Sequence, residues 1–383
     1  MTKPISIYIH IPFCDSKCYY CSFISFVQND QIKEQYFNAL RNEISAFQND
    51  NYSVKTIYFG GGTPSYVDPK FIKQMLDEIK NKFKIDKKAE ITIECNPNSV
   101  DASKLAFYKE IGVNRISFGV QSFNKRSLEF VGRVNDKVTL KNYKKQALDI
   151  IRKAKEVGFD NISADFILGL PYQSKCQLKR FIKELRKHIC HFSCYMLTVE
   201  EGTKLTKLLP NGISEERLSK EYEFAVKVLK KLGFERYEIS NFAKKGFESK
   251  HNKVYWEMGE YLGFGVSAHS FYDSKRIANI DNLKEYNEFY TYHSKQMEKS
   301  KSIKGVEKLS TEQLAEETIM LALRTRQGLD LVKFKNDFYD LENKKKSELA
   351  RLLNSGFIEF KNNFLSLSNK GYLVANKIIL ELI

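Results

Sequence analysis

The chain of 383 residues contains little cysteine, proline or tryptophan: seven, seven and one residue respectively. So few cysteines exclude a small scaffold held together by disulfides. The low proline content, with only 19 glycines, excludes collagen-like and low-complexity chains. No apolar run reaches the roughly 20 residues that a transmembrane helix needs. No signal peptide is visible before the first strand-like segment, so we expect a soluble, cytoplasmic protein.

Acidic residues are also scarce relative to basic ones. The 62 lysines and arginines exceed the 47 aspartates and glutamates and give a net charge of +15. Such an excess raises nucleic acid as a partner. The lysines are, however, spread over helix-like segments such as 344–346 and are not gathered in one stretch. A lysine-rich solvated surface therefore explains the charge, and we do not expect a nucleic-acid partner.

Hydrophobic residues make up 42% of the chain, which is enough for a sizeable core. Between residues 5 and 232, short runs rich in Ile, Val, Phe and Tyr alternate with helical patterns. These runs predict strands buried on both faces, at Ile5–Ile11, Thr56–Gly60, Glu90–Cys95, Arg115–Val120, Asn161–Leu168 and Phe192–Val199. The helices are predicted at 31–48, 69–84, 100–111, 139–157, 174–187 and 214–232. Six such units predict parallel strands, in an open sheet or a barrel.

Polar or glycine-rich segments lie where the predicted strands end. They are His10–Pro12, Gly60–Pro64, Glu94–Pro97, Gln121 and Gly169–Pro171. The carboxyl ends of parallel strands meet at one edge of the sheet, where the connecting loops converge on a rigid scaffold. Five of the six strands contribute to this edge, which indicates a shared site there.

The pattern changes after residue 232. Residues 233–300 are aromatic-rich. From about 305 the pattern predicts helices near 310–325, 330–339 and 343–354, a hairpin at Phe357–Leu367 and a final helix at 368–382. This order resembles a winged-helix module. The predicted organisation is a barrel at 1–232, a connecting region at 233–304 and a winged-helix-like α/β domain at 305–383.

Three cysteines follow the first strand with the spacing CxxxCxxC, at Cys14, Cys18 and Cys21. This spacing lets one loop present three thiolates to a compact inorganic centre. A structural zinc ion needs a fourth ligand, and no cysteine or histidine stands at a natural position for one. An iron–sulfur cluster fits three thiolates better in a reducing compartment. A four-iron cluster held this way leaves one iron open to a small molecule.

With an aromatic residue, Tyr20, before the last cysteine, this loop resembles that of the radical S-adenosylmethionine (SAM) superfamily. The resemblance implies an α/β fold, a (β/α)6 partial TIM barrel, with SAM bound through its amino and carboxylate groups to the open iron of a [4Fe-4S] cluster. Gly60–Pro64 resembles the glycine-rich loop of that superfamily, whose backbone hydrogen-bonds the methionyl amine.

Within the superfamily, nearly the whole chain resembles the group of oxygen-independent coproporphyrinogen III oxidases. The matching stretches are Tyr8–Cys14, Gly60–Pro64, Gly112–Ser117, Gly119–Phe123, Leu168–Pro171 and the C-terminal module. The resemblance implies SAM contacts at Tyr8, Tyr20, Gly61, Gly62, Thr63, Glu94, Gln121, Arg133 and Asp165. Carboxylate and amide oxygens would accept hydrogen bonds from the amine or ribose, and Arg133 would pair with the carboxylate.

Two departures separate the chain from the oxidases. Phe23 stands where the oxidases carry a further cysteine, and the chain begins only a few residues before its first strand, without their N-terminal extension. It has instead the segment 251–256, His-Asn-Lys-Val-Tyr-Trp. This HNxxYW pattern resembles the heme-chaperone branch of the group. That branch implies heme as a ligand and heme-accepting proteins, such as respiratory cytochromes or heme stores, as partners, and allows a homodimer.

The chain has six histidines. His251, beside Tyr255 and Trp256, is the first candidate for an axial heme ligand, because flat aromatic side chains could flank a porphyrin. His269 is the rival ligand. His10 is expected to hydrogen-bond the cysteine loop, while His188, His191 and His293 are interpreted as surface or packing residues.

Three hypotheses compete. The chain is a heme chaperone with a SAM-type cluster, a coproporphyrinogen III oxidase, or a radical SAM enzyme that modifies nucleic acid. Phe23 argues against the second hypothesis. The third lacks a second set of cluster cysteines, because Cys95, Cys176, Cys190 and Cys194 are scattered. We expect the chaperone, and no oxidase activity.

Overall fold

The computed structural model describes residues 2–48, 51–134, 136–292 and 303–383. Its strands are β1 Lys3–Ile11, β2 Tyr52–Gly61, β3 Lys84–Cys95, β4 Arg115–Gln121, β5 Asn161–Leu168, β6 His191–Met196, β7 Glu235–Arg236, β8 Asn241–Ala243, β9 Tyr261–Phe264, β10 His269–Tyr272, β11 Lys275–Asn279, β12 Ile303–Lys308, β13 Leu329–Asp330, β14 Ile358–Lys361 and β15 Phe364–Leu367. Its helices are α1 Asp30–Ala46, α2 Pro69–Lys82, α3 Ala102–Glu110, α4 Lys125–Phe130, α5 Lys137–Glu156, α6 Lys175–Leu185, α7 Lys204–Leu208, α8 Glu215–Lys231, α9 Lys250–Trp256, α10 Leu283–Tyr292, α11 Thr311–Ala322, α12 Leu331–Asp337, α13 Leu341–Lys344, α14 Lys346–Asn354 and α15 Ala375–Leu382. Short 3₁₀ turns lie at Pro64–Tyr66 and Gly371–Val374.

One large sheet organises the chain. In the described residues it has twelve strands, in the order β12-β11-β10-β9-β1-β2-β3-β4-β5-β6-β8-β7. Strands β1 to β6 are parallel and adjacent in sequence order, and helices connect them. The parallel strands expected from the six units, and the α/β partial barrel that the resemblance implied, are therefore confirmed. None of the described helices is long and apolar enough to cross a membrane.

The predicted elements recur with shifted ends. Strand β5 has the predicted bounds, whereas β3 begins at Lys84, six residues early. The helix predicted at 343–354 is two helices, because Lys345 has the non-helical angles φ −120° and ψ 33°. Helix α4 was not predicted. It begins where the side chain of Asn124 caps the backbone N–H of Ser127.

The region at 233–304, interpreted as a connection, adds strands to the barrel sheet. Strand β9 pairs in parallel with β1 at one end, and β8 pairs antiparallel with β6 at the other. Strands this short, such as the two-residue β7, carry too little periodicity to be found from sequence. His293 lies outside the described residues.

The barrel strands are buried on both faces, as expected, but only one of the two faces is apolar. Along β1, Ile5, Ile7 and Ile9 lie in the main hydrophobic core, while Ser6 and His10 are buried polar residues. Successive side chains of a strand point to opposite faces. The polar members of each strand therefore line the barrel interior, and the apolar members pack under the helices.

The C-terminal part has a core of its own. Its buried residues lie on the helices of 311–382 and on the three-stranded sheet β13-β15-β14. Ser310 begins α11 with a capping box to Gln313. Helices followed by a small antiparallel sheet match the winged-helix-like arrangement that the sequence predicted for this part.

A buried carboxylate, Glu43, joins α1 to the segment between β9 and α10. It accepts hydrogen bonds from the Gly265 backbone N–H at 2.7 Å, the Tyr286 hydroxyl at 2.6 Å and the Asn279 amide at 2.6 Å. Burial raises the pKa of Glu43 to about 7, although these hydrogen bonds lower it in part. The carboxylate thus fixes the turn that precedes His269.

Replacing Glu43 with Gln should change how stability depends on pH. The pKa of Glu43 in the folded chain, about 7, exceeds its ordinary value of 4.5, so folding takes up a proton between these values. As pH rises through this window, wild type should lose stability relative to Glu43→Gln, by at most about 1.4 kcal/mol per pH unit. Urea unfolding at several pH values measures the difference. Glu34→Gln, at an exposed position of the same helix, is the control. Parallel pH profiles for wild type and Glu43→Gln would contradict the assignment.

Candidate cofactor site

The three cysteines lie on one loop at the carboxyl edge of the barrel. The loop follows β1 and is closed at its base, where the Cys14 N–H donates to the Phe26 carbonyl at 3.1 Å and the Phe26 N–H donates to the Pro12 carbonyl at 2.6 Å. The Cys21 N–H donates to the Cys18 carbonyl at 3.1 Å, which brings the second and third cysteines together. All three are free thiols and half-buried.

The thiols lie close enough to influence one another. Burial raises the pKa of the Cys14 thiol, and the neighbouring Cys21 and Cys18 raise it further. Among the described residues, no three His, Cys, Asp or Glu side chains converge as they would around a single metal ion. In a four-iron cluster each thiolate binds a different iron, so the sulfurs stand further apart. Three thiolates on one loop, each able to bind a different iron, fit such a cluster.

A cation lies beside the thiols. The Arg133 side chain contacts the Cys18 sulfur at 3.8 Å through Nη1 and donates to the Gly119 carbonyl at 2.6 Å through Nη2. Its Nε is buried and has no hydrogen-bond partner in the described chain. Burial alone would lower the pKa of Arg133, but Cys18 and Tyr20 raise it, so the guanidinium stays charged. The unpartnered N–H fits an anionic ligand group such as the SAM carboxylate.

The glycine-rich loop after β2 packs directly on the cysteine loop. The Gly62 N–H donates to the Ile11 carbonyl and the Thr63 N–H to the Phe13 carbonyl, both at 2.8 Å. A Cβ on Gly62 would come within 2.8 Å of the Phe13 carbonyl oxygen, and Gly61 has φ +111°. Only glycine fits both positions. The Thr63 hydroxyl lies 3.5 Å from the Cys14 sulfur, so this loop and the cluster loop form one wall.

Two half-buried carboxylates face the barrel interior below this wall. Glu94 on β3 accepts a hydrogen bond from the Tyr58 hydroxyl at 2.7 Å, and Asp165 on β5 accepts one from the Ser117 hydroxyl at 3.0 Å. Burial raises the pKa of Glu94 to about 7 and also raises that of Asp165. Gln121 ends β4 with φ +66°. These side chains offer acceptors for an amine and for hydroxyls, as SAM requires.

The two tyrosines expected to contact SAM lie on different segments, Tyr8 on β1 and Tyr20 on the cysteine loop. The Tyr8 hydroxyl, inside the barrel, is 3.1 Å from His10 Nδ1. Tyr20, on the cysteine loop, packs against a small apolar cluster that includes Val131 and Leu170. All nine residues to which the resemblance assigned SAM contacts thus lie in the barrel strands or in the segments at their carboxyl ends. This placement fits SAM, while contact with SAM itself stays a prediction.

His251 lies elsewhere, at the opposite end of the barrel. Its ring Nδ1 is 2.6 Å from the Thr56 hydroxyl and Nε2 is 2.9 Å from the Tyr255 hydroxyl. Thr56 precedes Gly61 by five residues of β2, or about 16 Å at the usual rise of a strand. The residue is 1% exposed. Neither ring nitrogen is free for a heme iron, so the geometry opposes our first assignment of the ligand.

His269 and His10 lie at the edge that carries the cysteines. His10 Nε2 is 3.0 Å from the Ile24 carbonyl, which confirms the expected hydrogen bond to the cysteine loop. His269 begins β10, directly after the turn that Glu43 holds, and is exposed. The two histidines are close enough that His269 contributes to lowering the pKa of His10, after burial. Of the two candidate heme ligands, only His269 is accessible.

The two other described histidines lie away from this edge. His191 is buried and hydrogen-bonded to Ser163 and Tyr237, as a packing residue would be, and His188 is half-buried. Three of the other four cysteines are buried and Cys176 is exposed.

Four interior residues that support the carboxylates were not predicted from the sequence. They are Tyr58, Arg115, Ser117 and Ser193. All four lie on predicted strands, where polar residues alternate with apolar ones, and this alternation could have identified them.

The comparisons with known proteins agree with this architecture. The model of the radical SAM superfamily matches residues 8–185, and that of the HemN C-terminal domain matches residues 309–374. The crystal structure of coproporphyrinogen III oxidase (HemN) from Escherichia coli superposes with a TM-score of 0.84 over 100% of this chain and 90% of that one, at 23% identity. At this identity the likeness establishes the fold alone.

Several relatives of this chain are named heme chaperone HemW, and two of them show how far the similarity extends. That of Bacillus subtilis (strain 168) is 34% identical over 382 residues, 97% of each chain. That of Escherichia coli (strain K12) is 35% identical over 275 residues, 70% of each chain. The similarity to the first runs through the barrel and the C-terminal module alike. The chain therefore belongs to the HemW family of radical SAM proteins.

Proposed function

We propose that the chain is a cytoplasmic heme chaperone that binds heme and transfers it to heme-accepting proteins such as respiratory cytochromes or heme stores. The similarity over nearly the full length to proteins named heme chaperone carries this proposal. The proposal includes a [4Fe-4S] cluster with SAM at its open iron. A homodimer is a further prediction of the family resemblance.

Three parts of the chain would hold the cluster and SAM. Cys14, Cys18 and Cys21 would bind three irons, and SAM would supply the amino and carboxylate ligands of the fourth. Arg133, which touches Cys18, would place its positive charge against the anionic cluster and the SAM carboxylate. The backbone of the glycine loop and the interior carboxylates would orient the remainder of the SAM molecule.

We place heme at the same edge, with His269 as the iron ligand. The imidazole is exposed, and the cysteine loop reaches its neighbour His10 through Ile24. That loop exposes Phe23 to 67% and Val27 to 59%. Exposed apolar side chains offer a flat porphyrin a contact surface worth roughly 25 cal/mol per Å² of buried area. A single protein ligand on an open edge also suits a protein that must release its heme.

Removing the three thiolates should remove the cluster. Anaerobically reconstituted wild type should hold about four irons per chain, and the variant with Cys14, Cys18 and Cys21 changed to Ala should lose the iron and the brown absorbance. Iron analysis and absorbance spectra measure this. Cys176→Ala, which removes an exposed thiol elsewhere, is the control. A triple variant that retained its iron would refute the site.

The same triple variant should largely keep its ability to bind heme, because in this proposal no thiolate ligates the heme iron.

Coproporphyrinogen III should not be converted to protoporphyrinogen IX, even though the fold is that of an oxidase. Phe23 occupies the position of the additional cysteine of the oxidases and is exposed at the edge. An anaerobic assay with SAM and a reductant measures product. Turnover sustained over several cycles would overturn the chaperone proposal in favour of the oxidase.

Heme titration of two histidine variants should identify the ligand. Hemin added to His269→Ala should give little of the Soret band that wild type gives, while His251→Ala, whose imidazole is buried, should bind heme as wild type does. His188→Ala, at a half-buried position away from the edge, is the control. A loss confined to His251→Ala would return the ligand to the HNxxYW segment, and unchanged titrations for both variants would reject both histidines.

A further inference from the structure

The HNxxYW segment forms helix α9, which closes the end of the barrel opposite the cysteines. Ser249 caps the helix by accepting a hydrogen bond from the Asn252 N–H. At its first turn the His251 backbone N–H donates to Glu90 Oε1 at 3.1 Å. Glu90 lies where β3 joins β2, beside Thr56. The helix is thus fixed to the floor of the barrel by a buried carboxylate.

The His251 ring is held in one orientation there. Thr56 and Tyr255 occupy its two nitrogens, at 2.6 Å and 2.9 Å. Burial, together with the nearby Arg115, lowers the pKa of His251 to about 3, so the imidazole is neutral. A neutral imidazole donates from one nitrogen and accepts at the other. Both of its hydrogen-bonding positions are therefore satisfied, and the ring is rigid.

The flat face of this ring supports Tyr58. The two rings stack with centroids 5.0 Å apart and an interplanar angle of 28°. Tyr58 also stacks on Tyr8, at 6.2 Å and 26°. From this position the Tyr58 hydroxyl donates to Glu94 Oε1 at 2.7 Å. A continuous path of contacts therefore runs from the floor helix through one tyrosine to a carboxylate of the candidate SAM site.

We propose that His251 is a positioning residue for SAM: by holding the Tyr58 ring, it fixes the Glu94 carboxylate in the orientation that accepts a hydrogen bond from the cofactor. This inference rests on the SAM site of the proposed function and is independent of heme. The proposal gives the HNxxYW segment a role in the barrel interior. His251 stacks on Tyr58, which hydrogen-bonds Glu94, and the His251 side chain is not exposed at the surface.

SAM affinity of the cluster-loaded protein tests the proposal. Equilibrium dialysis with radiolabelled SAM should give dissociation constants about five- to tenfold weaker for Tyr58→Phe and for His251→Ala, because each loses the restraint on Glu94. Tyr58→Phe keeps the ring and removes only the hydroxyl, so a wild-type affinity in this variant would overturn the proposal even if His251→Ala fails to fold. Iron content must equal that of wild type in each sample.

His191→Ala is the matched control. It also removes a fully buried imidazole of the barrel floor with two hydrogen bonds, but His191 bonds to Ser163 and Tyr237 and is not in contact with Tyr58. It should bind SAM as wild type does. A loss of the same size in His191→Ala would mean that any damage to the floor weakens the site, and the proposal would fail.

The double variant separates positioning from general destabilisation. If His251 acts through the Tyr58 hydroxyl, His251→Ala combined with Tyr58→Phe should bind SAM no more weakly than the weaker single variant. Multiplied losses, or single variants that bind as wild type, would overturn the proposal. Wild type that binds no SAM at all would instead refute the SAM site itself, which keeps the two failures apart.

Discussion

The charge balance inside the barrel is the constraint on which the site depends. Arg115 on β4 is 1% exposed, and burial alone would lower its pKa, but the surrounding Glu90 and Asp165 raise it. Charged groups taken out of water need partners at close range. The strands must therefore hold these side chains in fixed register. The same register fixes Glu94 and Asp165 below the cysteine loop.

The floor and the carboxyl edge of the barrel consequently differ in which polar groups already have partners. At the floor, α9 and its histidine satisfy buried polar groups and leave none of the His251 ring nitrogens free. At the carboxyl edge, the thiols are half-buried, Arg133 Nε lacks a partner and His269 is exposed. The half-buried thiols, the unpartnered Arg133 Nε and the exposed His269 thus lie together at one edge, where we propose that the ligands bind.

The sequence predicted the parallel strands, the cysteine loop and the glycine loop, because strand and helix periodicities and residue spacing are local properties of the chain. It did not predict that β9 pairs with β1 or that Tyr58 supports Glu94, since these contacts join residues far apart in the chain. The placement of His251 shows the same limit. A histidine followed by Tyr255 and Trp256 suggests an open heme site. Only the fold shows that Thr56 and Tyr255 already hydrogen-bond both ring nitrogens of His251.

The central claim is that three thiolates of one loop hold a four-iron cluster and leave one iron open for SAM. Mössbauer spectroscopy of protein reconstituted with ⁵⁷Fe, recorded with and without SAM, tests it most directly. The account predicts that SAM shifts the signal of about one quarter of the cluster iron, the open site, and leaves the other irons unchanged. A spectrum that SAM does not alter, in a sample with a complete cluster, would contradict it.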